Sequence, residues 1–235
     1  MCKPPGTLGQ FEDPAAYRAR VIRANREGFS LWKDTCKLIE DRILAPRTYP
    51  SPFEFSLDVL FLQAYKSFCA VYLLAVRGQE EDAATVLRRL MEITIQVEYL
   101  VQPEECGARV TRAERYLAHD PDKEHYWWGA GLRKLFEEVG RGATYEQDYS
   151  LLSQIAHAVS RRVIPNLREG VIKIRTAEVF TPLLVFAARY VLSCCYRWNQ
   201  GFHLISEPEL EALVKRATEF PLRPISNVPE SGKDV

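Results

Sequence analysis

The chain has 235 residues, of which 47% are apolar and 26% are charged, an ordinary composition for a soluble globular protein. Its 31 basic and 31 acidic residues give a formal net charge of zero, which argues against a general DNA-coating protein, because such proteins carry a large excess of Lys and Arg. The six cysteines form no C-x-x-C pair and no zinc-ligand spacing, so we interpret them as small apolar residues in a reducing cytosol.

The hydrophobic spacing is helical along nearly the whole chain. Prolines and glycines, such as the Pro-rich stretch at 45–52 and Gly78, divide it into short-looped segments. The sequence therefore predicts an all-α protein, a single bundle of seven or eight helices within residues 14–220. Residues 1–13 and 221–235 are predicted to be flexible ends. The helical segments lie at about 14–42, 54–77, 80–100, 105–118, 123–139, 145–162, 177–196 and 206–220.

Two apolar stretches, 55–76 and 180–196, approach the length of a membrane-spanning helix. The first contains Asp58 and Lys66 and the second contains Arg189, so both are interpreted as core helices. The N-terminus has no basic segment followed by an apolar stretch, and no signal peptide is expected. These patterns predict a cytoplasmic protein without membrane contact. Residues 171–175 are the one strand-like run, either an extended connection or part of a small hairpin.

Three polar residues, Tyr149, Ser153 and His157, are spaced four apart in an otherwise apolar segment. On a helix this spacing aligns their side chains along one face. In one interpretation His157 is a general acid or base that Ser153 or Tyr149 orients. In the other, the three form a buried structural network bonded within the core.

A second polar pair, Arg88 and Glu92, lies one turn apart in the apolar helix predicted at 80–100. If Arg88 points inward it needs an anionic partner, because an unpaired buried charge is very costly, and Glu92 can supply one. The alternative is an exposed ion pair worth a few tenths of a kcal/mol, with either Arg88 or Arg89 as the exposed residue.

Further cations accompany these motifs. Arg161 and Arg162 close the predicted helix that carries His157, where they either complement the helix dipole or hold a phosphate. Arg197 and His203 follow the apolar helix near the end of the chain, a pairing that suits RNA cleavage if both groups meet a phosphate. Gly201 between them predicts that the helix has already ended there.

The neighbours Trp127 and Trp128 fall in a segment predicted to be helical. Adjacent residues of a helix point to different faces, so we expect one indole in the core. The other is expected to pack on a partner helix or a dimer mate, or to stack on a ligand.

Three motifs follow one another in a recognisable order. They are A-x-x-L-R-x-x-x-E at Ala84, Leu87, Arg88 and Glu92, then Trp128-Gly129, then Y-x-x-x-S-x-x-x-H at Tyr149, Ser153 and His157. Together they resemble a bacterial all-helical domain family of unknown function. The resemblance covers residues 53–157 and implies an all-helical fold, with no established activity.

That family is distantly similar to HEPN-type helical domains, many of which are RNases of toxin–antitoxin and antiviral systems. HEPN nucleases carry an Arg and a His at the spacing of Arg197 and His203, usually with a polar residue directly after the Arg, where this chain has Trp198. The resemblance implies metal-independent RNA cleavage in a defence or toxin role.

Two functional hypotheses follow. In the first, Arg88, Glu92, Tyr149, Ser153 and His157 converge in an interhelical polar pocket of a ribonuclease that acts without cofactor or metal on RNA or another phosphate-containing ligand. Arg197 and His203 are further candidates for its catalytic residues. In the second, the chain is a non-enzymatic helical module that binds a small ligand or a protein partner, with a homodimer expected. A solvent-open cluster of His and Arg favours catalysis, whereas a closed network favours a structural role.

Overall fold

The computed structural model describes residues 14–120, 126–150, 152–153 and 180–221. This part of the chain is all-α and contains no strand, which confirms the predicted fold class. Its α-helices are α1 (Pro14–Ala24), α2 (Arg26–Arg42), α3 (Pro52–Ala75), α4 (Glu80–Val101), α5 (Cys106–Leu117), α6 (Leu132–Glu138), α7 (Gly142–Thr144), α8 (Phe180–Phe202) and α9 (Glu207–Thr218). A π-helical turn, Tyr145–Tyr149, continues α7.

The predicted number of helices, seven or eight, is wrong, because the described residues alone form nine. The additional helix arises at Asn25, which divides the segment predicted at 14–42 into α1 and α2. The Asn25 amide Nδ2 donates to the carbonyl oxygen of Val21 at 2.8 Å. Asparagine side chains compete in this way with backbone hydrogen bonds, which is why they favour helix ends over helix interiors.

Local sequence signals set the ends of α3. Ser51 caps its N-terminus by accepting a hydrogen bond from the Phe53 backbone N–H, and Pro52 occupies the first turn, where a missing N–H costs nothing. After α3 the chain turns through Gly78 at φ +75°, a conformation that favours glycine. The turn leads directly into α4, and α3 packs along α4.

The main core lies among α3, α4 and α8, which pack on one another. Helix α2 covers α8, α5 packs on α3, and α9 packs on α8 and α2. Fully buried aromatic side chains fill the centre, among them Phe61, Phe68 and Trp198. The bundle geometry and the single-domain organisation stay predictions.

A second apolar cluster lies on the other side of α4 and contains both tryptophans of the W-W pair. Trp127 and Trp128 are 3% and 8% exposed, so the expectation that one faces a partner or ligand is wrong within this fold. The reason is that α6 begins at Leu132, so the pair sits on a turn that ends with Gly129 at φ +79°, and neighbours on a turn can both point inward. The indole Nε1 of Trp127 donates to Gln96 at 2.9 Å.

By length and composition alone, α3 could cross a bilayer, with a mean hydropathy of 1.4 over its most apolar window. Of that window, 44% is buried inside the protein, and core helices of soluble proteins meet the same criteria. It is the one helix of this kind among the described ranges.

Several predicted features lie outside the described residues. They are the flexible N-terminus at 1–13, nearly all of the C-terminal tail, the strand-like run at 171–175, and His157, Arg161 and Arg162.

Candidate functional site

Four of the predicted site residues meet between α4 and the chain segment that follows α7. The Tyr149 hydroxyl donates to Glu92 Oε1 at 2.8 Å. Arg88 Nη1 donates to Ser153 Oγ at 3.4 Å, and its Nε lies 3.5 Å from Glu92 Oε1. The Arg88 guanidinium carbon also lies 5.8 Å from the centre of the Tyr149 ring. Arg88, Glu92, Tyr149 and Ser153 are called the α4 network below.

The π turn brings Tyr149 to the network. In a π-helical turn each backbone hydrogen bond spans five residues, one more than in an α-helix. Such turns are frequent at functional sites. The Tyr149 ring is stacked on Tyr145 at 5.1 Å between centroids and tilted against Phe136 at 5.6 Å. These aromatic contacts hold the hydroxyl over Glu92.

The structure also separates the two neighbouring arginines of α4. The Arg88 side chain is 23% exposed, whereas that of Arg89 is 57% exposed, so Arg88 is the inward-facing member of the pair. Both guanidinium groups approach Glu92, whose side chain is 16% exposed. The carboxylate is therefore paired with two cations and one hydroxyl, which offsets the cost of its partial burial.

Electrostatics keep Tyr149 protonated at neutral pH. Burial raises the pKa of its phenol well above the ordinary value, and the hydrogen bond to the Glu92 carboxylate raises this pKa further. Tyr149 is thus a hydrogen-bond donor in this network and not a base. Among the described residues, each member of the network contacts at least one other member.

The second candidate pair, Arg197 and His203, lies at the C-terminal end of α8. Arg197 Nη1 donates to Gln200 Oε1 at 3.4 Å on the outer side of α8. His203 is exposed, directly follows the helix, and adopts φ +52°. The expectation that the helix has ended by Gly201 is wrong, since α8 runs to Phe202.

The structure contains a further polar site, a cleft of about 220 Å³ between α4, α8 and the start of the π turn. At its wall the Glu98 side chain is 5% exposed and receives a bidentate pair from Arg141, Nε at 3.1 Å and Nη2 at 3.0 Å. The Ser193 hydroxyl donates to the same carboxylate at 3.1 Å. These hydrogen bonds with Glu98 raise the pKa of the Arg141 guanidinium further above its ordinary value.

The cleft is also lined by Asp148 and Tyr190. The Tyr190 hydroxyl donates to Asp148 Oδ2 at 3.3 Å. Burial raises the pKa of Tyr190 well above its ordinary value, and the nearby Asp148 charge raises it further. Asp148 precedes Tyr149 in the π turn, so one turn of the chain connects the cleft to the α4 network.

Sequence reasoning missed this cleft, although one signal for it was present. Glu98 is an acidic residue in the most apolar part of α4, where Ile95, Val97 and Leu100 surround it in the sequence. A carboxylate in such a run needs a cation when the helix is buried. Its cation, Arg141, is 43 residues away and could not be paired with it from spacing.

No group of three His, Cys, Asp or Glu side chains is arranged to hold a metal ion within the described ranges.

Comparison with known proteins adds one finding. A family model described as a family of unknown function (DUF5677) matches residues 57–127, less than a third of the 235-residue chain. The match covers most of α3, all of α4 and α5, and ends at Trp127, and it supports the resemblance to an uncharacterised all-helical domain family. No curated protein and no solved structure is matched.

Proposed function

We propose that the chain is a helical module that binds a small polar molecule in the cleft between α4 and α8. The observation that carries this proposal is the pairing of Glu98 with Arg141 and Ser193 at the wall of an open cleft. Burial of the Glu98 carboxylate is costly, and a concave site that meets this cost with a half-exposed arginine supports a functional role.

Two polar groups of the cleft, Arg141 and Asp148, define the ligand chemistry. Arg141 binds Glu98 through Nε and Nη2, which leaves Nη1 outside this pair, and its side chain is 47% exposed. Asp148 accepts from Tyr190 through Oδ2, which leaves Oδ1 outside that bond. A ligand that carries both a carboxylate and an ammonium group matches one donor and one acceptor of this kind.

The size of the cleft points to a small ligand. Its volume of about 220 Å³ is below the roughly 300–1,000 Å³ typical of pockets for drug-sized molecules. Phe186 and Tyr190 supply apolar wall beside the charged groups. We therefore infer a ligand in the size range of a free amino acid.

The test is a calorimetric titration of the purified full-length protein with each of the twenty free L-amino acids. We expect at least one to bind, and we expect Asp148→Asn to weaken that binding about 10-fold, the loss of one charge-assisted hydrogen bond. The matched control is Asp34→Asn, since the exposed Asp34 pairs with Arg216 and does not line the cleft. No binding by any amino acid, or equal binding by Asp148→Asn and the wild type, would overturn the proposal.

A second candidate function is the metal-independent RNA cleavage implied by the distant similarity to HEPN domains. The contact of Arg88 with Ser153 favours it, because Ser153 stands four residues before His157 in the sequence. In this function Arg88 stabilises phosphate charge and His157 transfers the proton.

The test is cleavage of an RNA panel by purified protein in the presence of a chelator. We expect His157→Ala to abolish cleavage and His203→Ala to preserve it, since His203 is exposed and is not part of the α4 network. If the wild-type protein leaves the RNA uncleaved, the ribonuclease function is rejected and the binding module is the remaining proposal. Both proposals include a cytosolic location and a homodimer. Light scattering measures the mass of the protein in solution and so tests the homodimer.

A further inference from the structure

Two side-chain contacts, called clamps below, join α2 to α3. Trp32 of α2 is stacked on Tyr72 of α3 at 4.0 Å between ring centroids. Two turns further along α2, Glu40 Oε1 accepts a hydrogen bond from the Tyr65 hydroxyl at 2.7 Å. Residue numbers rise along α2 as their partners' numbers fall along α3, so the two helices run antiparallel here.

Two cysteines occupy the turn between these clamps. Cys36 lies one turn after Trp32 and one turn before Glu40, and Cys69 lies one turn after Tyr65 and just before Tyr72. The register therefore sets the two side chains opposite each other between the two helices. Cys36 is 7% exposed, whereas Cys69 is half-buried and open to a small reagent.

The two thiols differ in acidity. The Cys36 thiol beside it lowers the pKa of Cys69 to about 7, against the opposing effect of burial. The same interaction raises the pKa of Cys36, and burial adds to this increase. A substantial fraction of Cys69 is thus the nucleophilic thiolate at neutral pH, while Cys36 keeps its proton.

We propose that Cys36 and Cys69 form a dithiol site that hydrogen peroxide converts to a disulfide joining α2 to α3. Cys69 is the residue that reacts with peroxide, and Cys36 resolves the product. Two further cysteines, Cys194 and Cys195, lie in α8 and are fully buried. Burial raises the pKa of each thiol, so both stay unreactive.

The chemistry balances in two steps. The Cys69 thiolate attacks one peroxide oxygen, the O–O bond breaks, and Cys69 becomes a sulfenic acid as hydroxide leaves and takes up the proton that the thiol had released. The Cys36 sulfur then attacks the Cys69 sulfur, the S–O bond breaks, and the hydroxyl leaves as water with the Cys36 proton. Two thiols and one peroxide thus yield one disulfide and two waters, and a dithiol reductant reverses the change.

The experiment treats the reduced full-length protein with equimolar hydrogen peroxide and maps the products by mass spectrometry. We expect a linked peptide pair containing Cys36 and Cys69 that disappears on treatment with dithiothreitol. In Cys36→Ser we expect no disulfide and a sulfenic acid at Cys69 that a dione probe traps. In Cys69→Ser we expect neither product.

The matched control is Cys106→Ser, which removes the exposed cysteine of α5 and should leave the disulfide unchanged. Formation of the disulfide in Cys69→Ser, or oxidation of wild-type Cys69 to sulfinic acid without linkage to Cys36, would overturn the proposal.

A second measurement on the wild type does not depend on the folding of any variant. It follows the rate of alkylation by iodoacetamide against pH, residue by residue. The rate at Cys69 should reach half its maximum near pH 7. A midpoint near the roughly 8.5 of an ordinary cysteine thiol would also contradict the proposal.

Discussion

Near the C-terminal end of α8, the neighbouring side chains of Arg197 and Trp198 lie in different environments. Arg197 reaches Gln200 on the outside of the helix, whereas Trp198 is fully buried and donates from Nε1 to Asp58 Oδ1 at 2.9 Å. The position after the Arg, which is usually polar in HEPN nucleases, therefore belongs to the core in this chain. Gly201 lies one turn after Arg197, and because it has no side chain it allows α8 to approach α3 closely.

Replacement of this glycine should be costly. A Cβ atom at Gly201 would lie 2.9 Å from Leu57 Cδ2, and Leu57 is fully buried and cannot swing into solvent. We expect Gly201→Val to lower the free energy of unfolding by about 1–3 kcal/mol, the usual cost of overpacking. Urea denaturation measures this difference.

The matched control is Gly107→Val in α5, where an added Cβ would meet no atom within 4 Å. This control should lie within about 0.5 kcal/mol of the wild type. An equal loss for the two variants would mean that the contact between α8 and α3 does not require glycine.

Between elements, buried polar contacts specify which helices meet. Asp58 of α3 is the clearest example, since its two carboxylate oxygens bind Trp198 of α8 and the hydroxyl of Tyr49 in the segment before α3, the latter at 2.6 Å. Arg47 lies 4.0 Å from the same carboxylate and 4.7 Å from the centre of the Trp198 ring. One carboxylate thus ties α8 and the α2–α3 connection to α3.

Removal of this carboxylate should affect all these contacts together. We expect Asp58→Ala to lower the free energy of unfolding by about 3–5 kcal/mol, because the largely buried Arg47 would lose its ionic partner and the Trp198 indole its hydrogen-bond acceptor. Thermal and urea unfolding of the purified variant measure the loss.

Asp34→Ala is the comparison for Asp58→Ala. Its side chain is 45% exposed and pairs with Arg216 at the surface, so its loss should cost less than about 1 kcal/mol. Similar losses for the two variants would show that Asp58 acts only as a surface charge.

Across the whole molecule, α4 is the element on which the candidate sites converge. Its Arg88 and Glu92 form the α4 network, and Glu98 forms the wall of the cleft two turns further along. Asp148 and Tyr149, consecutive in the π turn, contact the cleft and the network respectively. The dithiol of α2 and α3 is a separate site on other helices, so the ligand and oxidation experiments test independent features.

Much of this arrangement follows from local sequence patterns. Apolar spacing predicts the all-α class and places α4 and α5 within one or two residues of their ends. The inward pointing of Arg88 toward Glu92 was one of two open alternatives, and the facing chain settles it, because Ser153 and Tyr149 contact that pair. The function of these residues stays a prediction.

Other features depended on contacts between residues far apart in the chain. Helical periodicity records which face of a helix is apolar, because burial selects residue type, but it carries no information on which distant side chain meets a given polar group. The pairing of Glu98 with Arg141 and the clamps that set Cys36 against Cys69 therefore appear only when the helices are packed. Local propensity determined the helices, and the burial of charge and volume between them determined the sites.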